Sequence, residues 1–150
     1  MRLISKLFRM AITSLLAFLG FSCFNDYDAP VAYGSPHATY KVLGIVVSET
    51  DNSPIEGIRA ELKVDTSYNY AIVTAYTNSN GIFFLQGNEH GFTNRILYVE
   101  LVDVNDGSFV SMEVEADFRD KTFTGSSGWY EGEALINLGK IPMQPNSESE

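Results

Sequence analysis

Ile58-Arg-Ala-Glu-Leu-Lys-Val-Asp65 alternates apolar and polar side chains almost without a break. A period of two sets Ile58, Ala60, Leu62 and Val64 on one face of an extended chain and the charged residues on the other, the pattern of a half-buried strand. The same chemistry extends outward in both directions. Upstream, Lys41-Val-Leu-Gly-Ile-Val-Val-Ser48 predicts a strand closed by the turn formers of Glu49-Thr-Asp-Asn-Ser-Pro54. Downstream, Tyr70 to Tyr76, Ile82 to Leu85, Ile96 to Val102, Phe109 to Ala116 and Ala134 to Ile141 are further short β-branched and aromatic runs, the last ended by Pro142. Asn78-Ser-Asn-Gly81 is a tight turn in which Gly81 supplies a positive φ. No long helical period interrupts the series. Seven strands in about a hundred residues predict an all-β chain folded as a single antiparallel sandwich. Val46, Leu62, Val64, Phe83, Val99 and Leu101 are expected to face inward.

The composition fits one packed domain: 150 residues, 45% apolar and 19% charged. Nineteen acids against ten bases give a net charge of −9, which argues against a nucleic-acid partner, since no basic patch can displace phosphate counterions. One cysteine excludes a disulfide framework, a CxxC redox pair and a cysteine-rich zinc or iron–sulfur site. No cofactor is expected.

The first 22 residues read as an export signal. Arg2, Lys6 and Arg9 form a positive start, and the uncharged apolar run from Met10 to Phe21 is shorter than the roughly 20 residues of a membrane span. Leu19-Gly20-Phe21-Ser22-Cys23 resembles a bacterial lipoprotein signal, although Gly20 stands where an aliphatic residue is usual. The resemblance implies that Cys23, the sole cysteine, becomes the lipidated first residue. Two or three acyl chains anchor stably where one does not. The expected layout is therefore a signal peptide over 1–22, a lipidated tether over 23–39, a sandwich over 40–143 and a flexible tail over 144–150. Asp26 and Asp28 resemble the acidic stretch that sends some lipoproteins of Gram-negative anaerobes to the outer cell face; an acidic, solvated linker explains them as well. The expected location is the cell envelope, at the outer membrane, with the periplasmic and surface faces both open.

Two further patterns carry resemblances. Gly44-x-Val46, Pro54-Ile-x-Gly57-Ile58 and Thr77-Asn-Ser-Asn-Gly81-Ile-Phe83 resemble the carboxypeptidase regulatory-like, or transthyretin-like, sandwich domain. In that reading Pro54 and Gly57 shape the link between the first two strands, and Asn80-Gly81 makes a hairpin before the aromatic strand. Tyr33-Gly-Ser-Pro36-His-Ala38-Thr-Tyr40 and Gly128-Trp-Tyr-Glu-Gly132, together with the signal, resemble the small lipoproteins encoded beside radical-SAM enzymes in Gram-negative anaerobes. This implies a radical-SAM enzyme as genomic neighbour, with that enzyme or another envelope protein as partner; the family has no established activity to carry over. The chain lacks a three-cysteine motif, so it is not the radical enzyme itself.

Candidate chemistry is sparse. His37, in a proline-containing linker, and His90, in an Asn88-Glu-His-Gly91 loop, read as surface histidines. Gly125-Ser-Ser-Gly128 lacks the spacing of a nucleophile elbow. Asp103-Val-Asn-Asp-Gly107 offers oxygen ligands suited to calcium, but Val114 stands where a closing glutamate would lie, and a hairpin turn is the simpler reading. Asp117, Asp120, Glu131 and Glu133 can be read as paired carboxylates, with chance proximity preferred. Trp129 and Tyr130, with Tyr33, Tyr68, Tyr70 and Phe123, offer an aromatic platform for a sugar or peptide. The competing reading makes Trp129 a core plug with Tyr130 as its more exposed neighbour, and it is preferred because tryptophan is usually highly buried. The function expected is a non-enzymatic, membrane-anchored interaction or accessory module, with a carbohydrate- or peptide-binding lipoprotein using the Trp129 loop as the alternative.

Cys23→Ala is expected to abolish acylation and move the protein from the membrane fraction to the soluble one. Retention on membranes through a high-salt wash would contradict the lipid anchor.

Overall fold

The computed structural model describes residues 34–147, apart from Thr66, Tyr68, Asn69 and Phe92. The signal peptide, Cys23, most of the tether, Tyr33, Tyr68 and the last three residues of the tail lie outside the described residues. Seven strands form: β1 (His37–Ser48), β2 (Ile58–Lys63), β3 (Ala71–Tyr76), β4 (Ile82–His90), β5 (Ile96–Asp103), β6 (Met112–Asp117) and β7 (Tyr130–Met143). They make two sheets, a three-stranded one in the order β4-β1-β7 and a four-stranded one in the order β3-β2-β5-β6. Among the described residues there is no helix long and apolar enough to cross a membrane.

The sandwich is not wholly antiparallel as expected. β1 pairs with β4 antiparallel but with β7 parallel, from His37↔Tyr130 to Ser48↔Met143. Alternation along a strand reports which face is buried and carries nothing about the direction of its neighbour. A parallel pair needs a long crossover, and here the crossover is everything from β2 to β6. The link between β3 and β4 also departs from the expected hairpin. Asn78 Oδ1 accepts hydrogen bonds from the amides of Asn80 and Ile82, both at 3.0 Å, so the turn is tight, yet the strands it joins lie in different sheets.

Thr77 fastens that crossing. Its buried hydroxyl donates to the Ile55 carbonyl at 2.7 Å and accepts from the Ile58 amide at 2.9 Å. Its own amide donates to Ile58 O at 2.9 Å and its carbonyl accepts from the Gly57 amide at 3.0 Å. The Pro54–Ile58 link is thereby tied to the start of the β3–β4 turn. Gly44, opposite Phe83 in the register, has a packing reason: a Cβ there would stand 2.6 Å from the Phe83 ring.

Val46, Leu62, Phe83, Val99 and Leu101 are buried as expected, whereas Val64 is 38% exposed. The β2–β3 register shifts between Leu62 and Lys63, and β2 ends at Lys63. The alternation therefore stops one residue before Val64. Lys63 is buried instead, its ammonium held by Glu100 and, at 3.2 Å, by Glu61. The hydrogen bond it donates to Glu100 is the main reason its pKa is raised. β1 starts four residues earlier than expected, β4 runs five residues further, and β7 continues through Pro142 to Met143. Proline is tolerated there because β7 pairs only with β1 and lies at a sheet edge.

Phe83→Ala is expected to lower unfolding free energy by about 3–5 kcal/mol in denaturant titration. Thr77→Val, which keeps shape but strands the Ile58 amide and Ile55 carbonyl, is expected to lose about 1–3 kcal/mol. A Thr77→Val protein as stable as the parent would contradict the corner's role.

Candidate functional site

One end of the three-stranded sheet gathers aromatic and imidazole side chains that the sequence leaves far apart. Ser127 and Tyr130 exchange backbone hydrogen bonds at 2.8 and 3.0 Å around Gly128 and Trp129. Gly128 has φ +58° while Trp129 does not share a positive φ, so the turn is of the kind that requires glycine at its first central position. Trp129 is thus displayed at the tip of a two-residue hairpin. Its carbonyl accepts from the His37 amide at 3.0 Å, fixing the tip to β1. The indole rests on Gly34, where a Cβ would come within 2.5 Å of Cδ1.

Trp129 is 50% exposed and Tyr130 is the more buried of the two, the reverse of the plug expected. The plug is made by other rings. Tyr40, fully buried, packs edge-on against Phe118 and Phe123 at centroid distances of 4.9 and 5.5 Å. Those rings, and not the indole, belong to the core, and Trp129 sits instead on the two-residue turn. Burial also raises the pKa of Tyr40. The wider platform does not assemble, because Phe123 belongs to this cluster and Tyr70 precedes β3 in the other sheet.

Tyr130 is engaged on the outer face of the sheet. Its hydroxyl donates to Thr39 Oγ1 at 3.0 Å, and Thr39 donates to Asn88 Oδ1 at 2.6 Å, a relay across all three strands. One step toward the end of the sheet, His37 lies between the rings of Tyr130, at 5.4 Å, and His90, at 5.9 Å. Neither histidine is in a linker or loop: they are direct partners in the β1–β4 register. Sequence reasoning missed this because Gln86-Gly-Asn-Glu-His90 is polar and hides the second half of β4. Period-two continuation from Phe83 and Leu85 was the signal that could have extended the strand.

The remaining candidates resolve into local structure. Asp103 Oδ1 accepts from the Asn105 amide and Asp106 Oδ1 from the Ser108 amide, both at 3.0 Å, as expected of a turn between two paired strands. The bonds from Ser108 lower the pKa of Asp106. Asp117 is held by Arg119, at 2.9 Å from Nε and 2.6 Å from Nη2, which brings its pKa down to about 2. Glu133 pairs with Lys41 at 2.6 Å. These two carboxylates thus meet cations. Among the described residues no cluster of three or more His, Cys, Asp or Glu is placed to hold a metal. An open cleft of about 260 Å³ lies beside the Lys41–Glu133 pair, floored by Ala134 and Leu135 and flanked by Thr122 and Thr124.

The exposed indole is expected to fluoresce at long wavelength and to be readily quenched by acrylamide. Trp129→Ala should change stability by no more than about 0.5 kcal/mol. A blue-shifted, shielded emission would contradict the exposed position.

No family model matches the sequence, and no curated protein matches it. Solved structures resemble the chain at low identity. The group B streptococcus pilus 2b backbone protein is 13% identical, with 72% of this chain and 42% of that one covered and a TM-score of 0.46. Catechol 1,2-dioxygenase from Pseudomonas arvilla C-1 is 9% identical over 79% of this chain and 56% of its own, also at 0.46. The full-length major pilin SpaD from Corynebacterium diphtheriae is 10% identical over 75% and 31%, at 0.45. The chain therefore spans less than half of either pilus protein, and these are resemblances of β-sandwich architecture.

Proposed function

We propose that this chain is a non-enzymatic lipoprotein of the cell envelope, anchored through Cys23, that works as an interaction module and binds through the Trp129–Tyr130 end of its sandwich. The observation that carries the binding reading is the half-exposed indole on a tight, hydrogen-bonded turn. Large aromatic side chains held rigidly in advance of binding lose little entropy when a partner covers them, which is why they so often dominate interfaces. A sugar ring or an aromatic or proline-bearing peptide would find an apolar face in Trp129 and hydrogen-bonding groups beside it in His37 and His90. The lipoprotein signal supports the envelope location, and the acidic composition keeps such a module soluble beside the membrane.

The resemblance at Tyr33–Tyr40 and Gly128–Gly132 favours a second reading in which the same end meets a neighbouring radical-SAM enzyme, as its helper or substrate. Co-expression with that enzyme followed by intact-mass measurement separates this reading from simple ligand binding: an unchanged mass with an active enzyme argues against the substrate role.

Titrating envelope glycan fragments and peptides into the lipoprotein is expected to give a saturable change in Trp129 emission with one of the two classes. Trp129→Ala, measured by calorimetry with the same ligand, is expected to weaken binding by about 2 kcal/mol or more, roughly thirtyfold. Equal affinity of the parent and the variant would refute the binding role.

A further inference from the structure

We propose that His37 and His90 form a two-imidazole site for a borderline divalent metal ion of the Zn²⁺, Ni²⁺ or Cu²⁺ kind. The assignment stands on the geometry of the β1–β4 pair and does not depend on the lipid anchor or on what Trp129 binds.

The backbone brings the two residues close. The Gly91 amide donates to the Pro36 carbonyl at 2.9 Å, so residues 36 and 91 are the hydrogen-bonded pair and His37 and His90, next along, are the non-hydrogen-bonded pair. That class has the shorter separation, about 4.5 Å between Cα atoms, with side chains on one face. The ring centroids are 5.9 Å apart. An ion about 2.0–2.1 Å from one nitrogen of each ring sets ring centres about 5–6 Å apart, so the observed spacing accommodates one with little adjustment.

Ser35 supplies the second element. Its carbonyl lies 3.4 Å from His37 Nδ1, and its hydroxyl 3.0 Å from His90 Nδ1. A carbonyl only accepts, so the proton of a neutral His37 ring belongs on Nδ1 and the lone pair falls on Nε2. A serine hydroxyl can accept from His90 Nδ1 in the same way. One residue thereby engages Nδ1 of both rings, which assigns coordination to Nε2, the arrangement in which a metal-binding imidazole is oriented through its other nitrogen. Imidazole suits these ions, and no thiolate or carboxylate cluster competes for them among the described residues. Tyr130 is not a ligand in this assignment, since its hydroxyl is committed to Thr39. With two protein ligands, water fills the remaining positions and they stay open to a group brought by a partner.

These are the only two histidines in the chain, so the side-chain spectrum is simple. The full lipoprotein, without a polyhistidine tag and in detergent, is titrated with ZnCl2 while the ring ¹⁵N signals are followed by NMR. Both rings are expected to shift together and saturate at one equivalent. His90→Gln and His37→Gln are each expected to weaken binding at least tenfold, and Ser35→Ala by about tenfold through loss of the hydroxyl that orients His90. Cu²⁺ is expected to quench Trp129, the sole tryptophan, in competition with Zn²⁺. A shift of one ring alone, no saturation below about 100 µM Zn²⁺, or undiminished affinity in His90→Gln would overturn the site. Matching melting temperatures for parent and His90→Gln in metal-free buffer show that a loss of binding is not a loss of fold.

Discussion

A single buried threonine hydroxyl ties together the two links, β1–β2 and β3–β4, by which the chain passes between the sheets. Thr77 satisfies one carbonyl and one amide of the Pro54–Ile58 link, at the two residues of that link, Ile55 and Ile58, that are buried. Such groups cannot be left unpaired away from water. With the link fixed, Ile55 can donate to Val46 and Val46 to Gly81, so β1, the start of β2 and the start of β4 are held in one relation. The burial of Val46, Ile58 and Phe83 depends on that relation, because a slip of one residue would turn each to the opposite face.

β1 owes its importance to its position. It is the central strand of its sheet, so each of its outward residues has a neighbour on both sides. Thr39 meets Asn88 on one side and Tyr130 on the other, and His37 meets His90 and Tyr130 one row away. The functional candidates are therefore consequences of register as much as of residue type. A polar relay such as Tyr130–Thr39–Asn88 has a structural use as well, since a shifted pairing would break it; that matters most for the parallel β1–β7 pair, which contains two register shifts.

The strands with apolar alternation were legible in the sequence because burial on one face imposes a period of two. Leu62, Val99 and Leu101 follow from it directly. Val64 does not, since a bulge is a property of two strands together and leaves no mark on one. The direction of β7 was hidden for the same reason. At the candidate site, the turn glycine beside Trp129 was visible, but which aromatic side chains form the core was not: Tyr40 and Phe118 are buried while Trp129 is half exposed. The His37–His90 pair required knowing that a polar stretch continued a strand, and polar residues on a sheet's outer face look like a loop when taken alone.

The parallel closure has a consequence for the order of events in the cell. β7 ends at Met143 and pairs with β1, which begins at His37, so the three-stranded sheet cannot be completed until Met143 has left the ribosome. Contacts this distant along the chain also form slowly, on the millisecond-to-second scale of sandwich proteins. Until then β1 lacks its β7 partner, whereas all four strands of the other sheet precede β7 in the chain. The three-stranded sheet, with the aromatic and imidazole end it carries, is thus the last part of the sandwich to close.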